Sequence, residues 1–191
     1  MTDPTTGSVT SAKAKVFCIG LNKTGTISLH DALKALGYRS LHWGGPDIAI
    51  KIMMSAEAGQ PLRTDVGGYD AYSDILALSE RFDLLDVQYP GSRFVLTTRP
   101  IDDWVESRRA HVLRNRERAA LGTYTGTFLD IDPDGWRDEF DAHHFRVAAY
   151  FTGRDDLLTM RITEGDGYDE LCPFLGEPIP AEDFPHRHRH R

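Results

Sequence analysis

The sequence predicts an α/β fold: a central parallel sheet with helices on both faces. Three observations carry that expectation. Two short apolar runs, Lys15-Val-Phe-Cys-Ile-Gly20 and Arg93-Phe-Val-Leu-Thr-Thr98, have the β-branched and aromatic content of buried strands. Each is followed, after a loop, by apolar residues at helical spacing, and strands alternating with helices favour parallel pairing covered on two sides. The chain has 191 residues, 40% of them hydrophobic, which suits one domain with a real core and shows no internal repeat or linker.

Residues 1–14 are rich in Thr, Ser, Gly and Asp and read as a disordered leader. Lys15 to Gly20 is the first strand, and Leu21 to Gly25 a loop. From Thr26, Leu29, Leu33 and Leu36 recur at helical spacing until Gly37 stops the helix. Tyr38 to Trp43 is a second short strand, and Pro46 to Ala58 a helix with Pro in its first turn. A turn at Gly67-Gly68 leads to a short strand at Tyr69 to Tyr72 and to one helix from Ile75 to Asp86. After the Pro90-Gly91 turn comes the second strong strand, then a long helix from Pro100 to about Arg118. Residues 120–132, rich in Gly and Thr, read as a mobile loop and a candidate lid. Pro133 to Phe151 is helical, Asp156 to Ile162 a further strand, and Tyr168 to Leu175 a short helix. The domain is expected over 15–185, and His186-Arg-His-Arg-His-Arg191 is a solvated basic tail.

Charge and composition narrow the function. Lys and Arg total 22 against 29 Asp and Glu, a net charge of −7, which disfavours nonspecific nucleic-acid binding. No apolar stretch approaches the ~18–20 residues of a membrane span, and Met1 to Lys15 has no apolar signal-peptide core, so a cytoplasmic protein is expected. Cys18 and Cys172 have neither metal nor disulfide spacing and read as buried thiols. Trp104, in mid-helix, reads as core.

The chemistry is concentrated in Gly20-Leu-Asn-Lys-Thr-Gly-Thr26, between the first strand and the first helix. A Gly-containing loop there points successive N–H groups into one cavity, and the helix N-terminus adds positive potential. Lys23 adds a charge, and Thr24, Thr26 and Ser28 add hydroxyls; the combination suits phosphate or sulfate. It is not a Walker A sequence, because Lys23 precedes Gly25 rather than following it. Arg99, at the end of the second strong strand, lies where doubly wound sheets hold ligands, and its guanidinium can grip a phosphate through two bonds. Ser107, two turns into the next helix, can donate to the same group.

These two segments resemble the sulfotransferase family, in its small bacterial type. Lys23-Thr-Gly-Thr26 is similar to the family's 5′-phosphosulfate loop. Arg93 to Ser107, with Arg99 and Ser107 eight residues apart, is similar to its 3′-phosphate motif. Asp155-Asp-Leu-Leu, Gly165-Asp-Gly-Tyr, Leu171-Cys-Pro-Phe-Leu-Gly176 and Phe184-Pro185 resemble its C-terminal part, so the likeness spans about residues 15–185. The resemblance implies a three-layer α/β/α, P-loop NTPase-like fold and 3′-phosphoadenosine 5′-phosphosulfate (PAPS) as sulfuryl donor, with no metal. It implies a small-molecule acceptor bearing a hydroxyl or amine. Asn22, Lys23, Thr24, Gly25, Thr26, Ile27 and Ser28 would hold the 5′ end, and Arg99 and Ser107 the 3′-phosphate. Ile27 stands where the family usually carries Thr or Ser, and Asn22 where Pro or Ser is common. The family's Gly-rich basic third contact has no counterpart here; Arg187 and Arg189 are the substitutes the tail offers. Lys23 would neutralise the leaving bridging oxygen. The base that takes the acceptor's proton is Asp74, with His42 and His111 as the next choices; Asp74 reads equally as the N-cap of the helix after it. Two other readings stay open: a non-catalytic nucleotide-binding protein of the same fold, and an atypical small-molecule kinase using ATP and magnesium.

Overall fold

The computed structural model describes residues 13–63 and 67–186. Nearly all of the expected leader and of the basic tail, Arg187 and Arg189 included, lies outside the described residues. Five parallel strands form the sheet: β1 (Val16–Cys18), β2 (Ser40–His42), β3 (Ala71–Ser73), β4 (Arg93–Thr97) and β5 (Leu157–Met160). Their spatial order is β2-β3-β1-β4-β5. The helices are α1 (Thr26–Ala35), α2 (Pro46–Glu57), α3 (Leu76–Ser79), α4 (Phe82–Gln88), α5 (Ile101–Ala120), α6 (Pro133–Tyr150) and α7 (Tyr168–Leu175). A single 3-10 turn, Ile162–Glu164, follows β5.

Strand alternation divides the core between two faces. Val16, Cys18, Ala71 and Val95 point to one face, where Leu29 and Leu33 of α1 and Leu171 and Cys172 of α7 cover them. Phe17, Ile19, Tyr72, Phe94 and Leu96 point to the other, against Ile52 of α2, Leu78 of α3, Phe82 and Leu85 of α4 and Val147 of α6. The result is the expected three-layer α/β/α architecture. Cys18 and Cys172 are free, buried thiols, and burial pushes Cys18 up to about 11.

Two expectations need correction. The helix expected over Ile75 to Asp86 is broken into α3 and α4 around Glu80-Arg81. Arg81 leaves helical geometry (φ −116°, ψ 35°), and its guanidinium donates to the Ala77 carbonyl (3.0 Å), satisfying an acceptor at the end of α3. The break lets Leu78 and Phe82 both face the core. The connection after α5 is not free over its whole length. Asn115 donates to the Phe128 carbonyl (3.1 Å), and Arg116 to that of Leu129 (2.7 Å). Phe128 also covers the buried Arg108, which pairs with Glu139 at 2.7 Å and lies over the rings of Trp104 and Trp136. Trp104 is fully buried, as core packing requires.

Candidate anion-binding cleft

The strand order reverses at β1, whose neighbours β3 and β4 lie on opposite sides. Ligands of open parallel sheets sit at such a switch point, outside the carboxyl ends of the strands. A cleft of about 440 Å³ opens there. The segment after β1 contributes Lys23, Gly25, Thr26, Ile27 and Ser28; that after β3, Asp74; that after β4, Arg99, with Ser107 and Arg114 from α5. Thr163 of the 3-10 turn closes it.

The loop is shaped by close backbone contacts. At Gly20 a Cβ would sit 2.1 Å from Thr97 Oγ1, so only glycine lets the chain leave β1 beside β4. Lys23 (φ 65°) and Gly25 (φ 101°) are left-handed, which turns the chain into α1. Thr24 is fully buried: its hydroxyl donates to the Leu21 carbonyl (2.6 Å) and also meets Thr97 Oγ1 (2.6 Å). The hydroxyl expected at the anion therefore faces the floor of the loop, and what Thr24 can present to the cleft is its amide. Asn22 also lies below, its carbonyl accepting from the Trp104 indole (2.7 Å). The α1 terminus has no side-chain cap and no acid in its first turn.

Arg99 donates to the Lys23 carbonyl at 3.3 Å, joining the two motifs in one wall. Its Nε is buried without a partner, as are Asn22 Oδ1, Arg108 Nε and His111 Nδ1. A buried group left unsatisfied costs about 1–3 kcal/mol, and Arg99 is the one of these arginines that lines the cleft. Behind it, His144 accepts the Thr98 hydroxyl (2.8 Å) and donates to the Phe140 carbonyl (2.8 Å), fixing the strand end.

Asp74 is left-handed (φ 57°) and does not cap α3, whose N-cap is Ile75 with no side-chain bond. Its carboxylate instead accepts from Thr26 Oγ1 (3.4 Å), and His42 Nε2 lies 3.6 Å away. Burial raises Asp74 to about 6, against the opposing pull of Lys23. Burial also lowers His42, whose Nδ1 meets Ser73 Oγ at 3.1 Å. His111 stands beside Phe128; burial, then Lys23 and nearby arginines, drop it to about 4. Neither histidine lines the cleft. Lys23 is pushed down by burial and by Arg114, and up by Asp74. Lys23, Trp43 and Asp74 are the non-glycine residues with positive φ among those described. All three sit just past the carboxyl ends of β1, β2 and β3, and backbone strain of this kind collects at functional sites.

Arg114 and Thr163 were not among the residues expected from sequence. A wider depression of about 510 Å³ lies between Glu80 and Arg146. Arg146 there donates to the Glu80 carbonyl (3.0 Å), and Glu139 pairs with Arg108. Among the described residues, no group of three or more His, Cys, Asp or Glu is placed to hold a metal ion, and no helix is long and apolar enough to cross a membrane.

Fold and cleft together define an α/β protein with a cleft at a sheet switch point, lined by Lys23, Arg99 and Arg114. The chain matches the sulfotransferase domain family over residues 15–130 and 117–191, and it belongs to that family. It is also 29% identical, over 213 residues, to the Ava biosynthesis cluster protein M of Aspergillus versicolor, a match covering 90% of this chain and 80% of that protein.

Proposed function

We propose that this protein transfers a sulfuryl group from PAPS to a hydroxyl or amine of a small molecule. The observation that carries the reading is the meeting of Lys23 and Arg99 in one cleft, joined by the Arg99–Lys23 carbonyl bond. The unpartnered Arg99 Nε and the uncapped α1 terminus fit a ligand with two anionic ends. The relative's place in a biosynthesis cluster supports a small-molecule acceptor.

When bound, PAPS supplies an activated sulfuryl group on a good leaving nucleotide. The amides from Thr24 to Ser28 would hold its 5′-phosphate at the positive end of α1. Lys23 would stabilise charge on the bridging oxygen, and Arg99 with Ser107 would grip the 3′-phosphate. Asp74 is the preferred proton acceptor. It lines the cleft, and a carboxyl raised to about 6 is matched to work near neutral pH. His42 sits behind it at 3.6 Å, suited to sharing or orienting that proton. His111 is neutral at pH 7 and stands one turn from Ser107 on α5.

The test is a metal-free melting and titration series with adenosine 3′,5′-bisphosphate and AMP, beside ATP with magnesium. The bisphosphate is expected to stabilise most, because a ligand that binds the native state raises its melting temperature. Arg99→Ala should remove ~1.5–3 kcal/mol of the preference for the bisphosphate over AMP. Stronger stabilisation by ATP with magnesium would replace this reading with a kinase.

A further inference from the structure

α5 carries five arginines, and four have acceptors. Arg108 pairs with Glu139 and Arg109 with Glu106. Arg116 donates to the Leu129 carbonyl and Arg118 to that of Thr123. Arg114 alone of the five has neither a hydrogen bond nor an ion pair among the described residues, and it is the one that lines the cleft. It stands seven residues after Ser107, which places the two on one helix face about 10 Å apart along the axis. Arg114 is close enough to Lys23 to depress its protonation, so the two cations repel each other with no anion between them. The cleft's one carboxylate, Asp74, acts on Lys23 from another strand end. His111, on the same stripe of α5, is uncharged at neutral pH and does not relieve the repulsion. Like charges held at the mouth of a cleft in a chain of net charge −7 are arranged for an anionic ligand group.

We propose that Arg114 binds the transferable sulfuryl group, its guanidinium fork on non-bridging oxygens while Lys23 serves the bridging one. The inference rests on the cleft taking PAPS. The 10 Å offset from Ser107 separates Arg114 from the 3′-phosphate, and its proximity to Lys23 puts it at the reacting end. A planar fork matches an oxyanion's geometry through two parallel bonds.

The experiment compares three ligands on the full chain without metal: PAPS, adenosine 3′,5′-bisphosphate, which lacks the sulfuryl group, and AMP. Arg114→Gln should weaken PAPS about tenfold and the bisphosphate by less than about threefold, with Arg114→Lys intermediate for PAPS. Arg114 is exposed, so the variants should melt like the wild type. Equal losses for PAPS and bisphosphate, with AMP unaffected, would overturn the assignment and make Arg114 a 3′-phosphate contact. Unchanged binding of all three would also overturn it and turn Arg114 toward the acceptor. Failure of the wild-type protein to bind the bisphosphate would remove the PAPS reading itself, and the Arg114 assignment with it.

Discussion

The N-termini of α1 and α6 solve the same electrostatic problem in opposite ways. Both leave backbone N–H groups unpaired and concentrate positive potential. At α6, Asp132 accepts from the Gly135 amide (3.1 Å), Pro133 opens the helix, and Asp134 adds charge in the first turn. At α1, Gly25 offers no side chain, the first turn is Thr26-Ile27-Ser28, and no carboxylate stands in that turn. The acid that does reach α1 is Asp74, from the far side of the cleft, at 3.4 Å from Thr26 Oγ1. A helix that leaves its terminus uncapped forgoes a bond that another helix uses for stability.

The largest effect should come from that borrowed carboxylate. Asp74→Asn is expected to lower kcat by about 10²–10⁴-fold if Asp74 is the base. In the wild type, kcat/KM should fall as pH drops through about 6, where the carboxyl takes up its proton. Stability should move the other way. A carboxyl raised from 3.8 to about 6 on folding favours the native state fully below 3.8, and that contribution is lost as pH rises through 6. Asp74→Asn should therefore raise the melting temperature at pH 7.5 and leave it nearly unchanged at pH 4. A variant that keeps full turnover would hand the role of base to His42 or His111.

Next in size is Lys23→Ala, expected to cost about 10²–10³-fold in kcat while binding of the bisphosphate product suffers less. Parallel losses in both would reduce Lys23 to a ground-state anion contact. Ile27→Asp converts the α1 terminus toward the α6 design. An acid in the first turn should add ~0.3–1 kcal/mol of apo stability or leave it level, while bisphosphate affinity falls about tenfold. If affinity holds, the α1 amides are not the 5′ anchor. The smallest effect is the reciprocal one. Asp132→Ala should cost ~1 kcal/mol of stability, read by denaturant melting, with no change in bisphosphate affinity.

These contrasts also show what a sequence can and cannot carry. The Lys23 loop and Arg99 were legible because each follows a strand of unmistakable composition, and strand ends locate ligands in parallel sheets. Asp74 was legible as a position, but that it does not cap α3 depended on a left-handed backbone the sequence does not announce. Thr24 looked like a ligand residue and is spent on Thr97, a partner 73 residues away. Arg114 was hidden among five arginines on one polar helix, where only the phase set by packing against α6 tells which one faces the cleft. The break between α3 and α4 was equally invisible, because it follows from the site at which Leu78 and Phe82 meet the core rather than from a proline or glycine.

Three bonds described above tie the Lys23 loop to the segment that bears Arg99: Thr24 Oγ1 to Thr97 Oγ1, Arg99 to the Lys23 carbonyl, and Trp104 to the Asn22 carbonyl. With Thr24 and Trp104 fully buried, the wall bearing the α1 amides and the wall bearing Arg99 share one buried support. If the cleft takes PAPS as proposed, the span between them would work as a gauge of length. A molecule whose two anionic ends match the span would then seat both at once, the second contact forming at high effective concentration. A molecule with one such end, or with ends spaced differently, would leave one side of the gauge wet.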